Sequence, residues 1–167
     1  MMKRIVIILC LMAASCATKS EEGYCPSISI VPDASFVTKY EEGTTKVYSQ
    51  AVMRQGAGHC TMEGDVLTIS GEFDVQAVLG EVTPDATYVP LDYLIAVLDG
   101  KNNVVLREEY TQSIKIRKNR NAATQTVRFN EVLDLNSEET IPNYNILLSF
   151  QLTEDELEDN RSKKNPY

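Results

Sequence analysis

A chain of 167 residues, 24 of them acidic and 16 basic, has the size of one ordinary domain. Its hydrophobic fraction of 43% can supply a core. A formal charge of −8 argues against a surface built for nucleic acid, and equally against docking on anionic lipid by charge alone.

The first elements form an address. Lys3 and Arg4 precede an apolar stretch over residues 5–12, and Ala13-Ala14-Ser15 is a small-residue segment before a cut. This is the pattern of a secretory signal, too short for a mature bilayer span of ~20 residues. Leu11-Met12-Ala13-Ala14-Ser15-Cys16 resembles the lipobox of bacterial lipoproteins, with Ala13 where that family prefers Leu. The resemblance implies that Cys16 is diacylated on sulfur, freed as the N-terminal residue, and acylated again on its amine. One acyl chain binds marginally, at ~0.8 kcal/mol per buried methylene, whereas several anchor stably. By the rules of that family Ala17, in place of Asp, favours transfer to the outer membrane of a Gram-negative cell, with the domain in the periplasm. The expected organisation is a signal peptide over 1–15, a lipidated Cys16 with a polar tether over 16–24, and a β domain over 25–167.

Cys10 leaves with the signal, so Cys25 and Cys60 remain as an even pair in an oxidising compartment. A disulfide is expected. A metal site built from Cys25, His59 and Cys60 is the rival, but the chain has no CxxC and no second His. On an extended strand His59 and Cys60 would also point to opposite faces.

From Cys25 onward the hydrophobic period is two. Residues 27–31 read as a short strand ended by Pro32-Asp33, residues 36–40 as another, and 46–54 as a third with Val47, Ala51 and Met53 on one side. Gly56-Ala57-Gly58 marks a bulge or turn before Cys60. The clearest alternation runs over 67–79: Leu67, Ile69, Gly71, Phe73, Val75, Ala77 and Leu79 share a face, as in an antiparallel sheet with one wet side. A loop over 80–90 is expected next, then strands over 92–99 and 104–116, joined by the hairpin chemistry of Asp99-Gly100-Lys101-Asn102-Asn103. Residues 124–135 form a further strand with Val127, Phe129, Leu133 and Leu135 inward, residues 136–143 a turn, and 144–152 the closing strand. Thr153-Glu154-Asp155-Glu156 is a capping box that starts a helix reaching about Asn160. About seven strands without helical crossovers predict an all-β fold, an immunoglobulin-like antiparallel sandwich with a short C-terminal helix. A small barrel is the alternative. With no Trp, and its Cys pair near the N-terminus, it is not an antibody-type domain.

The chain also resembles a family of uncharacterised small lipoproteins of alphaproteobacterial envelopes. The resemblance rests on Cys25-Pro26 soon after the lipid Cys, on Cys60, on residues 88–97 before a hairpin, and on the C-terminal block 144–161 with its FQLTxxEL run. It implies location and fold, and no activity.

No catalytic signature is present. Glu21-Glu22, Glu41-Glu42, Glu108-Glu109 and Glu138-Glu139 read as solvated faces. No GxSxG, Walker loop, GxGxxG or EF-hand pattern occurs, and a Cys60–His59 dyad would lose its nucleophile to the disulfide. Lys115, Arg117, Lys118 and Arg120 form the one basic island. It reads as a solvated strand end or as an anionic contact for lipopolysaccharide, inner-leaflet phosphate or an acidic partner. The function expected is a lipid-anchored, non-enzymatic interaction or structural module facing the periplasm, with an envelope protein as partner and no cofactor. The alternatives are a binding module for a small apolar or lipidic ligand between the sheets, and a carboxylate-based hydrolase.

Overall fold

A computed structural model describes residues 25–80, 88–135 and 144–162. The signal, Cys16 with its tether, and the turn expected over 136–143 lie outside the described residues, as does most of the loop expected over 80–90. The order of elements is β1 (Ser27–Ile30), a 3-10 turn (Pro32–Ala34), β2 (Phe36–Tyr40), β3 (Val47–Glu63), β4 (Val66–Leu79), β5 (Tyr88–Leu98), β6 (Val104–Lys115), β7 (Ala122–Asp134), β8 (Asn145–Phe150) and α1 (Glu154–Ser162). Two four-stranded sheets result, in the orders β1-β8-β5-β6 and β2-β3-β4-β7.

The fold is an all-β sandwich of eight strands. Its inner pairings, β4 with β7 and β5 with β8, are those of strands B with E and C with F in the immunoglobulin Greek key. Strand G has no counterpart after β8, because the chain turns into α1. Its place beside β8 is taken by β1, which runs parallel to it, Ser27 opposite Asn145 and Ile30 opposite Leu148. All other strand pairs are antiparallel.

The core follows the alternation of the strands. Leu67, Ile69, Phe73, Val75 and Ala77 of β4 face Val89, Ile95 and Val97 of β5 and Ile146, Leu148 and Phe150 of β8, all nearly inaccessible. Phe73 sets its edge against Tyr93 at 5.4 Å, a favourable T-shaped pair. Two strands differ from the sequence expectation. β5 starts at Tyr88 rather than at residue 92, and so includes Pro90. β8 pairs with β5 only from Tyr93 onward, so Pro90 lies where the strand has a neighbour on one side alone and a missing N–H is tolerated. β3 does not end near Arg54 but continues for nine residues more, and Gly56-Ala57-Gly58 lies within it.

The irregularity in β3 is a bulge at Gln55, whose φ is 50°. Before it Ala51 and Met53 face inward; after it the inward residues are Gly56, Gly58 and Cys60, paired with Phe73, Gly71 and Ile69. One inserted residue thus exchanges the two faces. The glycines form a floor for β1: a Cβ on Gly58 would stand 2.5 Å from Ile28 Cδ1, and one on Gly56 2.9 Å from Ile28 Cγ2. Gly64 has a φ of 61° and opens the two-residue turn from β3 to β4.

The capping box of α1 forms as read. Thr153 Oγ1 accepts from the Glu156 amide at 3.3 Å, and Glu156 Oε2 accepts from the Thr153 amide at 2.9 Å. Asn160 Nδ2 donates to the Asp33 and Phe36 carbonyls at 2.9 and 2.7 Å, and Lys39 reaches Glu156 at 2.8 Å. These bonds fasten α1 to β2 and the 3-10 turn.

Gly71 is expected to tolerate no side chain. The Phe129 ring crosses it, and a Cβ there would stand 2.2 Å from Cζ. Gly71→Ala should destabilise the fold by about 1–3 kcal/mol through overpacking, read as a lower urea midpoint at unchanged slope.

Candidate functional site

The Cys pair is joined. Cys25 and Cys60 form a disulfide with a Cα–Cα distance of 5.3 Å across a sequence separation of 35. Closing such a loop stabilises by about 3–4 kcal/mol in the chain-entropy model. The bridge ties the segment before β1 in one sheet to β3 in the other, at the sandwich's edge. It takes both sulfurs out of the metal and dyad readings. His59 lies on the opposite, solvent face of β3, exposed and opposite Ser70.

The basic island is brought together. Lys115 ends β6, and Arg117, Lys118 and Arg120 follow on the turn into β7, where the Arg120 amide donates to the Arg117 carbonyl at 3.0 Å and Asn119 takes a φ of 65°. All four are exposed, and none forms an ion pair with a described residue. Lys115 Nζ stands 5.8 Å from the centre of the exposed Tyr88 ring, a cation–π contact.

Position along the strands separates this turn from the N-terminal entry. Lys115 lies opposite Tyr88, at the start of β5. Ser27 lies opposite Asn145, which lies opposite Leu98, at the end of β5. At ~3.3 Å per residue the eleven residues of β5 between these ends cover ~33 Å. The basic turn and the point where the chain enters through Cys25 are therefore at opposite ends of the sandwich.

A group that sequence reasoning passed over lies between the sheets. Glu131 occupies an inward position of β7 between Phe129 and Leu133 and is only 5% exposed. Its Oε1 accepts from Tyr110 Oη at 2.7 Å, and the Tyr110 ring stacks on Tyr93 at 5.2 Å. Burial pushes the Glu131 carboxyl up, against the Tyr110 hydrogen bond, with help from the nearby Glu108 charge. Burial, and then Glu131, push the Tyr93 and Tyr110 hydroxyls up as well. The signal was available: in the alternation of β7, residue 131 falls on the apolar face. At Glu156 burial also pushes upward, but the bonds from Lys39 and Thr153 outweigh it and hold that carboxyl low. Asp99, in the β5–β6 hairpin, is held low by the Asn103 side chain and by the Asn103 and Lys101 amides.

Two shallow, open depressions lie on the β2-β3-β4-β7 sheet. One, of about 370 Å³, includes His59, Ser70, Glu72 and Arg128 in its lining; the other, of about 230 Å³, includes Phe36, Val52, Arg54 and Val78. Glu131 and Glu108 line neither. Among the described residues no helix is long and apolar enough to cross a membrane. Comparison with protein families, curated proteins and solved structures gives no match for this chain.

Glu131 makes stability depend on pH. The unfolded chain releases this proton near the ordinary 4.5, while the folded protein holds it to higher pH. Its contribution is complete below 4.5 and is lost as pH rises through the folded value. Urea midpoints measured over that interval should fall with rising pH, and Glu131→Gln should flatten the fall. An unchanged slope in the variant would assign it to other groups.

Proposed function

We propose that this chain is a lipid-anchored module of a bacterial envelope, held by Cys16 in the outer membrane with its sandwich in the periplasm, working by contact with another envelope protein. The observation that carries the reading is the Cys25–Cys60 bridge, nine residues beyond the lipobox Cys. A bridged pair suits an oxidising compartment, which is where the signal would deliver the chain. The resemblance to small envelope lipoproteins supports the same location. A core filled by Phe73, Phe150, Leu67, Ile95 and Leu148 supports a scaffold that presents its surface.

The basic turn is the contact surface this reading favours. Residues 17–24 would connect Cys16 to Cys25, at the end of the sandwich opposite Lys115, Arg117, Lys118 and Arg120. Nine residues reach at most ~32 Å. The ~33 Å between the two ends matches that full reach, so the basic end meets the bilayer that holds the domain only with the tether stretched to its limit. An acidic partner standing off the membrane meets this turn more readily than the anchoring lipid does.

The anchor is tested by mass spectrometry of the N-terminal peptide, which should carry diacylglycerol on Cys16, while Cys16→Ala should leave the envelope fraction. An unmodified Cys16 would overturn the anchor. The surface is tested by cross-linking in cells. A stoichiometric partner recovered with the wild type should fall about tenfold or more, ~1.4 kcal/mol, when Lys115, Arg117, Lys118 and Arg120 are all replaced by Ser. Equal recovery would remove the basic turn from the reading.

A further inference from the structure

β3 is longer than the strand beside it. β2 pairs with it only from Val47 to Val52, and the Met53 amide donates to the Ser35 carbonyl at 2.7 Å. From Gly56 to Glu63 the edge of β3 away from β4 has no strand against it among the described residues. Every residue of this stretch except Cys60 is exposed. Such an edge presents its N–H and C=O groups as a template for another strand.

The opposite side of the sandwich is protected against this. Its edge strands are β6 and β7, and each carries a carboxylate toward the space between the sheets, Glu108 and Glu131, close enough for the first to raise the second. Inward charge on an edge strand disfavours pairing. Residues 56–62 of β3, Gly-Ala-Gly-His-Cys-Thr-Met, carry no Pro, Lys, Arg, Asp or Glu. Ala57 and Thr61 are small, so a second backbone can approach.

The occupant is selected by charge. Arg54 lies before the bulge and Glu63 ends the strand. Both are exposed on the outer face, and neither forms an ion pair with a described residue. An antiparallel copy of the same stretch must match face to face. Centred on His59, it sets Ala57 opposite Thr61 and Glu63 opposite Gln55, beside Arg54. At a strand spacing of ~4.8 Å the two charges are in reach, and two-fold symmetry makes the contact twice. The second copy's β3 then ends at its Gly64–Asp65 turn, short of the first copy's β2.

We propose that two copies of this chain associate through the unpaired edge of β3, Gly56–Glu63, antiparallel and with Arg54 of each beside Glu63 of the other, joining their β2-β3-β4-β7 sheets into one of eight strands.

The test is sedimentation of the full chain in density-matched detergent over a range of concentrations. The wild type should form a dimer. Arg54→Glu or Glu63→Arg alone sets like charges side by side and should raise the dimer dissociation constant about tenfold or more. The double variant R54E/E63R restores opposite charges and should return it to near the wild-type value. A monomer at every concentration, a dimer indifferent to either single reversal, or a double variant no better than the singles would each overturn the proposal. Amide exchange supplies a reading without mutation. The backbone of residues 56–63 should exchange more slowly at high protein concentration than at low, and equal rates would refute the interface.

Discussion

The single inserted residue at Gln55 is the constraint on which the N-terminal half of the structure rests. In a sheet with a period of two, one residue more or less moves every following side chain to the other face. Without the bulge, His59 would be driven between the sheets and Cys60 turned to solvent, away from Cys25. With it, Cys60 reaches the bridge, and Gly56 and Gly58 form the bare surface on which Ile28 rests. The disulfide, the glycine floor and the placement of β1 are thus three results of one backbone irregularity with φ of 50°. Each in turn supports the others: the bridge holds the start of β1 against β3, and β1 covers the glycines that would leave a gap.

The two sides of the sandwich handle their edges in opposite ways. On one side β1 takes the place beside β8 where strand G would lie, α1 is fastened to β2 and the 3-10 turn by Asn160 and Glu156, and the edge of β3 beyond β2 has no strand against it among the described residues. On the other side β6 and β7 are the edge strands, and the space between them holds the Tyr93, Tyr110 and Glu131 cluster. Burial among these rings raises the Glu131 carboxyl, and Tyr110 supplies the hydrogen bond that a buried carboxyl needs.

Much of this was legible in the sequence. The alternation of residues 67–79 and 144–152 marked β4 and β8 and their inner faces, because each strand buries one side only. Thr153 and Glu156 marked the start of α1 because capping is local chemistry. The Cys pair and the basic turn followed from counting and spacing. What was hidden depends on neighbours distant in the chain. The run of β3 past Arg54 is stabilised by its pairing with β4 through Val66, and a Gly-Ala-Gly segment has no strand preference to announce it. Pro90 hid the start of β5, since the free edge that excuses it is set by the length of β8. Glu131 was passed over as a break in an apolar face, because its partner Tyr110 lies on a strand of the other sheet.

The parallel pairing of β1 with β8 has a consequence for the order in which the protein can be assembled. Ser27 and Asn145, which share a hydrogen bond, are 118 residues apart. The first strand to be synthesised therefore finds its place only when the last has followed it. Cys25 and Cys60 both precede the rest of the sheet, and a bridge formed early would shorten the loop that β1 must close to reach β8. Contacts of such long range make folding slow for its size. A chain held at its N-terminus would spend that interval with its beginning fixed and waiting for its end.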